Sequence, residues 1–242
     1  MHTRSGDGWA DQKIRIVKKI VRVVFAVSLI LNIALLVSAT WYIHERGART
    51  VAENLGLVEL RRPAFDFYAE ERFSDLPGSE VVVIGDSQVE RGPWSELLNK
   101  PVAVRGQSGQ LISEVTASAP AIVPPRAGTV IAWAGSNDAM GGHDPSRIEG
   151  EMSELLGAIA EAAPDASLVV LSVPPIEWVD DVVIASTNIA PRRAADSAGA
   201  TFVDVTPTLD GLLVNDGTHI SGAGYDAVAE VLLSTPSVAE AF

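Results

Sequence analysis

The chain has 242 residues, a net charge of −13 and no cysteine. Its length is enough for one domain with additional segments, and its 47% of apolar residues is sufficient for a packed core. The missing cysteines exclude disulfides, thiol catalysis and cysteine-bound metals, and the acidic balance argues against a nucleic-acid partner.

Positive and negative charges are spread unevenly along the chain. The first 50 residues carry 8 Lys/Arg and 3 Asp/Glu, whereas the remainder carries 10 and 28. Within the basic segment, residues 23–43 contain no charged side chain. As a helix they would be roughly 31 Å long, which matches the hydrocarbon core of a bilayer. The sequence therefore predicts a transmembrane helix over 23–43 after a short cytoplasmic N-terminus, residues 1–22.

The residues that flank this segment predict its orientation. Basic residues precede it, and Trp41 and Tyr42 stand at its far end, where an aromatic belt would lie. The positive-inside rule then places the rest of the chain outside the cytoplasm, as a single-pass protein of the cell membrane. A signal peptide cleaved near Ala39 is the alternative. We favour the anchor because the apolar run continues past that point, and both interpretations export the domain.

Residues 44–78 form a predicted juxtamembrane connector of mixed charge. Its second half contains four aromatic residues within nine positions: Phe65, Phe67, Tyr68 and Phe73. Aromatic side chains at this density favour a segment that packs on a domain over a free linker.

From residue 79 to the C-terminus, short apolar runs alternate with helical patterns. The runs predict strands over 81–85, 102–104, 129–135, 167–173 and 201–205, and two of the intervening patterns predict helices over 146–163 and 223–233. Such alternation is typical of a parallel sheet with helices on both faces. We therefore expect an α/β domain over 79–242 with a three-layer α/β/α, flavodoxin-like fold and a five-stranded parallel sheet.

Ligands of such sheets bind at the carboxyl ends of the strands. The first strand is followed by "GDSQ" (85–88), the second by "RGQSGQ" (105–110) and the third by "GSND" (135–138). The segment before the last helix contains "DGTH" (216–219). Polar residues thus meet at the edge of the sheet where a site is expected.

These four blocks, in this order, resemble those of the SGNH hydrolases, also called GDSL-like esterases and lipases. The resemblance runs from about Phe65 to the C-terminus, and it implies an SGNH fold and a serine ester hydrolase. It places Ser87 at the nucleophile position, Gly109 and Asn137 at oxyanion positions, and Asp216 and His219 at the Asp-x-x-His positions. Two departures affect the expected substrate preference: Gln88 replaces the usual Leu or Ile, and Val104 stands where an asparagine is frequent.

The chemistry of an ester hydrolase needs these residue types. A serine hydroxyl is a weak nucleophile unless a base takes its proton, and an imidazole such as His219 does this near neutral pH. Asp216 can orient that imidazole, although an aspartate in "NDGTH" also suits an Asx-turn. The oxyanion hole would consist of the backbone amides of Ser87 and Gly109 and the side-chain amide of Asn137.

Several further residues and motifs bear on the composition of the site. His143, in the loop after the third strand, is a candidate for the cleft, although surface histidines are common in such loops. Trp94, Trp133 and Trp178 are candidates for lining a cleft, with core packing favoured for Trp133. Phosphate-binding loops, zinc-binding helices and the G-x-S-x-G elbow are missing from the sequence, which implies no metal and no organic cofactor.

The expected substrate is a small acyl ester, by preference an acetyl ester, of a carbohydrate or lipid. No long apolar lid separates the blocks, which favours a small acyl group. An acyltransferase that uses the same site is an alternative function, and an anchored binding module without turnover is another.

Overall fold

A computed structural model describes residues 7–46 and 79–239. The chain divides into two compact units, Met1–Leu60 and Arg61–Phe242. The predicted connector over 44–78, with its four aromatic residues, lies outside the described residues except for its first three positions.

The described part of the first unit is a single helix, α1 (Asp7–Arg46). Its segment Arg15–Tyr42 has a mean hydropathy of 2.6 and no buried residue, and it is long and apolar enough to cross a membrane. Asn32 donates a hydrogen bond to the carbonyl of Ser28 at 2.7 Å, so its amide is bonded within its own helix. This local bond lowers the cost of placing a polar side chain in hydrocarbon. The helix is therefore a candidate transmembrane span, as predicted.

The second unit is built on a five-stranded sheet with strand order β2-β1-β3-β4-β5. All neighbouring strands are parallel. The strands are β1 (Val81–Gly85), β2 (Val102–Gly106), β3 (Thr129–Trp133), β4 (Ser167–Leu171) and β5 (Thr201–Val203). β1 matches its predicted range, β3, β4 and β5 fall within theirs, and β2 extends two residues beyond the predicted 102–104. The strand order is that of flavodoxin-like folds.

Helices cover both faces of the sheet. They are α2 (Ser87–Glu90), α3 (Trp94–Leu97), α4 (Ile112–Ile122), α5 (Ser136–Met140), α6 (Pro145–Ala162), α7 (Asp181–Ala198), α8 (Gly222–Ser234) and α9 (Pro236–Ala239), with a 3₁₀ turn at Thr206–Leu209. The predicted helices 146–163 and 223–233 correspond to α6 and α8. The predicted α/β class, three-layer architecture and five-stranded parallel sheet are confirmed.

Alternation along β1 assigns its side chains to two separate cores. Val82 and Ile84 face a core formed with α4, α6 and α7, whereas Val81 and Val83 face a core formed with α3 and α8. A strand that is apolar on both faces is typical of the centre of a parallel sheet. The burial of every residue of β1 thus fixes the position of the segment that follows it.

The next two strands in the chain, β2 and β3, lie on opposite sides of β1. The connection from β1 leads to β2 on one side, and β3 then lies on the other side of β1. A crevice opens at the carboxyl ends of the strands where the order reverses in this way. The three loops after β1, β2 and β3 surround this crevice, and they contain the first three of the four sequence blocks.

Candidate active site

The turn after β1 places Ser87 at the start of a short helix. Gly85 ends the strand, and a Cβ at this position would collide with the carbonyl oxygen of Trp133 on β3. Asp86 then caps α2 by accepting a hydrogen bond from the backbone N–H of Gln88 at 2.9 Å. Ser87 is 7% exposed. The sequence Gly-Asp-Ser thus makes a tight, buried turn that presents one serine hydroxyl.

His219 and Asp216 meet this serine from the other end of the chain. The Nε2 atom of His219 lies 2.8 Å from Ser87 Oγ, and its Nδ1 atom lies 2.7 Å from Asp216 Oδ2. The three side chains therefore form a continuous hydrogen-bonded series. This is the arrangement in which an imidazole can take a proton from a hydroxyl while a carboxylate fixes its tautomer.

Asp216 is held by its own turn. Its Oδ1 atom accepts hydrogen bonds from the backbone N–H groups of Thr218 at 3.0 Å and His219 at 2.9 Å. The Asx-turn and the contact with the imidazole therefore coexist in one side chain, one on each carboxylate oxygen. The short Asp-x-x-His spacing is what allows both.

The environment of Asp216 favours its charged form. Partial desolvation raises its pKa, but the N–H groups of His219 and Thr218 and the His219 ring outweigh this effect, and the pKa falls to about 2. Arg91 lies 3.8 Å away, with both side chains about half exposed. A carboxylate that stays ionised can stabilise a positive imidazolium beside it.

Gly109 and Asn137 lie after β2 and β3, on either side of the Ser87 turn. Gly109 has a φ of +82°, a backbone conformation that residues other than glycine rarely adopt. The Asn137 side chain donates a hydrogen bond to the carbonyl of Gln110 at 2.8 Å. This bond joins the two loops and fixes the orientation of the Asn137 amide at the rim.

Asp138 provides a second connection between the same loops. Its buried carboxylate accepts a hydrogen bond from the Ile112 N–H at 3.2 Å and pairs with His143 Nδ1 at 3.1 Å. Burial raises the pKa of Asp138 to about 6, even though these two partners favour its charged form. Asp138 is a residue whose role the sequence did not reveal, because its partners come from two other segments. His143 is hydrogen-bonded to Asp138, whereas Ser87 and His219 are hydrogen-bonded to each other.

Asp138 belongs to a cluster of side chains of the types that bind metal ions. Among the described residues, Asp138, His143 and Glu151 have ligand atoms within 4.8 Å of one another. Two of the three side chains, Asp138 and His143, are bonded to each other, and the third, Glu151, pairs with Arg147 through its Oε1 atom at 2.9 Å.

The tryptophans predicted to line a cleft occupy different environments. Trp94 and Trp133 are each 1% exposed and pack edge to face, with ring centroids 5.9 Å apart. The cleft role is therefore wrong for Trp94, because its indole packs in the core against Trp133 on β3 and Tyr225 on α8. Trp178 is 44% exposed, and its ring lies beside Gly217, a residue of the Asp216–His219 turn.

A family model described as GDSL-like lipase/acylhydrolase matches residues 78–227. The matched range is more than half of the chain, and it contains Ser87, Gly109, Asn137, Asp216 and His219. No curated protein sequence matches the chain.

Solved structures resemble the fold. A GDSL-like lipase from Bacteroides thetaiotaomicron has 20% identity and a TM-score of 0.59, over 74% of this chain and 98% of that one. A member of the lipolytic G-D-S-L family from Veillonella parvula has 17% identity and a TM-score of 0.55, over 65% and 97%. An acetyl xylan esterase from Geobacillus stearothermophilus has 16% identity and a TM-score of 0.52, over 63% and 92%.

Proposed function

Because the chain belongs to the GDSL-like lipase/acylhydrolase family and is a serine ester hydrolase, we propose that Ser87, His219 and Asp216 are its catalytic triad. The single observation that carries this proposal is the series of two hydrogen bonds, 2.8 Å and 2.7 Å long, that joins the three side chains. His219 faces a hydroxyl with one ring nitrogen and a carboxylate with the other. An imidazole in this setting acts as a general base toward the hydroxyl.

The reaction proceeds through an acyl-enzyme. Ser87 Oγ forms a bond to the ester carbonyl carbon as its proton passes to His219 Nε2. The imidazolium, stabilised by Asp216, then donates that proton to the leaving alkoxide as the C–O bond breaks. A water molecule next loses a proton to His219 and attacks the acyl-serine, and the carboxylic acid leaves as Ser87 regains its proton. Every step is a proton transfer or an acyl transfer, and none changes an oxidation state.

The negative charge of the tetrahedral intermediate needs donors that are already in place. The proposed donors are the backbone N–H groups of Ser87 and Gly109 and the side-chain amide of Asn137. Two features support this choice: the left-handed backbone at Gly109 and the bond from Asn137 to Gln110, which holds the amide before substrate arrives. Preorganised donors lower the barrier because they need no reorientation during the reaction.

The proposed substrate is a small acyl ester, by preference an acetyl ester, of a carbohydrate or lipid. The structural similarity to an acetyl xylan esterase supports this choice at the level of the fold. The exposed indole of Trp178 also supports it, since this side chain lies next to the Asp216–His219 turn and offers an apolar face with a polar edge.

The proposed location is the outer side of a cytoplasmic membrane, with α1 as a single-pass anchor and the N-terminus in the cytoplasm. The exposed apolar surface of Arg15–Tyr42 supports the anchor, and the basic residues before it support the orientation. N-terminal sequencing of the mature protein from a membrane fraction tests it. An intact N-terminus supports the anchor, and a new N-terminus after Ala39 would replace it with a cleaved signal.

Turnover of 4-nitrophenyl acetate by wild-type and Ser87→Ala proteins tests the catalytic proposal. The variant should lose on the order of 10³-fold or more in kcat, since nothing else supplies the nucleophile. Near-normal turnover by the variant would overturn the proposal. A series of acyl lengths on the wild type, in water and with added alcohol acceptors, then distinguishes acetyl from longer acyl groups and hydrolysis from transfer.

A further inference from the structure

Gln88 follows Ser87 directly and departs from the family pattern, yet it is fully buried. Its side chain reaches the loop that carries His219. The Nε2 atom donates a hydrogen bond to the carbonyl of Thr218 at 2.8 Å, and the Oε1 atom accepts a longer one from the N–H of Ile220 at 3.5 Å. These two backbone groups immediately flank His219.

An amide is suited to this pair of contacts. It offers one donor and one acceptor in a single plane, as a peptide group does, whereas an aliphatic side chain offers neither. The carbonyl of residue 218 and the N–H of residue 220 are the groups that an adjacent strand would bond. Gln88 therefore pairs with the backbone on both sides of His219 as a short piece of strand would.

The backbone of Gln88 is also fixed. Its N–H donates to Asp86 Oδ1 at 2.9 Å, and its carbonyl accepts from the Tyr225 hydroxyl at 2.8 Å. All these groups are buried, so the bonds are formed away from water, where an unpaired partner is costly. Gln88 thus connects a rigid turn to the His219 backbone through buried contacts.

Resting on the proposed triad, we propose that Gln88 is a positioning residue, which sets the distance between the His219 imidazole and Ser87 Oγ by holding the backbone on both sides of His219. The ion pair of Arg91 with Asp216 is a further link between the Ser87 turn and the Asp216–His219 turn, but it is about half exposed and 3.8 Å long. Solvent screens such a pair, so the buried amide is the stronger restraint.

The main test replaces Gln88 with methionine, which has a similar length and no amide. The Gln88→Met variant should lose about 10- to 100-fold in kcat for 4-nitrophenyl acetate, with KM within about threefold, since small displacements of a catalytic group have effects of this size. The loss should be larger for ethyl acetate, because its poorer leaving group depends on proton donation by His219.

Asn188 offers a matched control. Its side-chain amide also bonds one buried backbone N–H and one buried carbonyl, both of Val173, at 2.8 Å and 3.0 Å. The Asn188→Leu variant should therefore lose a comparable amount of thermal stability while its kcat stays within about threefold of wild type. Equal losses of kcat in both variants would show that Gln88 contributes only general stability, and would overturn the proposal.

A second variant keeps the test decisive if Gln88→Met does not fold. The acid form of a glutamate at this position retains one O–H donor and one acceptor, whereas the ionised form has no donor for the Thr218 carbonyl. The activity of Gln88→Glu relative to wild type should therefore fall as pH rises from 6 to 9. A Gln88→Glu protein as active as wild type throughout this pH range would overturn the proposal.

The proposal and the function on which it rests fail in different ways. Turnover that survives Ser87→Ala removes the triad itself. Turnover that is lost in Ser87→Ala but is normal in Gln88→Met, for both esters, leaves the triad intact and removes only the role of Gln88.

Discussion

Two aspartates lie close in sequence to Ser87 and His219, the proposed nucleophile and base, and their environments are opposite. Asp86 precedes Ser87, is fully buried, and has its pKa raised by burial to about 7. Asp216 precedes His219 by three residues and is about half exposed. Desolvation raises its pKa, but the hydrogen bonds from His219 and Thr218 together outweigh this effect and lower the pKa to about 2.

This difference separates structural from chemical roles. Each aspartate accepts a backbone N–H two residues ahead, Gln88 for Asp86 and Thr218 for Asp216. Only Asp216 also contacts the imidazole. A carboxylate whose charged form is stabilised can stabilise an imidazolium, whereas one whose charged form is penalised by burial serves better as a cap that shapes a turn. We therefore expect the two positions to respond differently to the same Asp→Asn change.

The largest effect is expected at Asp216. In Asp216→Asn, the side-chain amide can present an N–H to His219 Nδ1, which favours the tautomer that cannot take the proton of Ser87. The loss in kcat should be about 10²- to 10⁴-fold. Asp204→Asn is the matched control, since Asp204 also caps a turn and pairs with an arginine, at 3.5 Å. Its kcat should stay close to that of wild type, and similar losses in both variants would contradict the assignment.

The next effect concerns Asn137, which lies beside the buried Ser87 turn and outside the triad. Asn137→Ala should lower kcat about 10²- to 10³-fold for acetyl esters, because a donor to the oxyanion disappears. Asn137→Asp keeps the shape of the side chain and replaces its N–H groups with an acceptor, so it should lose at least as much. Steady-state kinetics of both variants check this, and full activity of Asn137→Asp would refute a donor role.

Asp86→Asn should change the pH dependence of stability more than catalysis. Folding raises the pKa of Asp86 from 3.8 to about 7. Between these values the folded state binds more protons than the unfolded state, so this group's contribution to the free energy of unfolding falls as pH rises. An asparagine has no such proton. The variant should therefore gain stability relative to wild type by roughly 1–4 kcal/mol from pH 4 to pH 7.

Urea unfolding at several pH values measures this gain. Asp144→Asn is a suitable control, since Asp144 also caps a helix, at the N–H of Ser146, but is exposed with its pKa lowered by its bonds to Ser146. Because folding lowers the pKa of this carboxyl instead of raising it, Asp144→Asn should show no gain in stability relative to wild type from pH 4 to pH 7. A flat difference for Asp86→Asn as well would show that burial does not penalise its charge.

The smallest effect is expected at Arg91. Its ion pair with Asp216 is 3.8 Å long and about half exposed on both sides. Arg91→Gln should lower kcat by no more than about threefold at low salt, and the difference should vanish in 1 M NaCl because ions screen exposed pairs. A large, salt-independent loss would mean that Arg91 contacts the substrate.

The sequence predicted the strands and the polar rim because both arise from local patterns. Apolar runs such as "VVVIG" are buried on both faces and end where the sheet ends, so the residues after them had to lie at the rim. The sequence patterns gave no range for α7, whose interior contains Pro191, a residue type that ordinarily interrupts helices. Packing against α6 maintains it, and no local pattern reports such packing.

Contacts between distant segments could not be predicted in the same way. Gln88 and Thr218 are 130 positions apart, and Asp138 and Ile112 are 26 apart. Gln88 stood out in the sequence only as a departure from a family pattern, without indicating its partner. The burial of Trp94 was not predicted, because its contacts with Trp133 on β3 and Tyr225 on α8 join segments that are distant in sequence.

The most direct test of the central claim is the site of covalent labelling by a serine-directed phosphonate. We predict one label per chain, mapped to Ser87 by peptide mass spectrometry, with loss of acetyl-ester turnover in proportion to labelling. Ser87→Ala should take up no label, and Asp216→Asn should label far more slowly than Asp204→Asn. Complete loss of turnover with the label on another residue would contradict the assignment of Ser87 as the nucleophile.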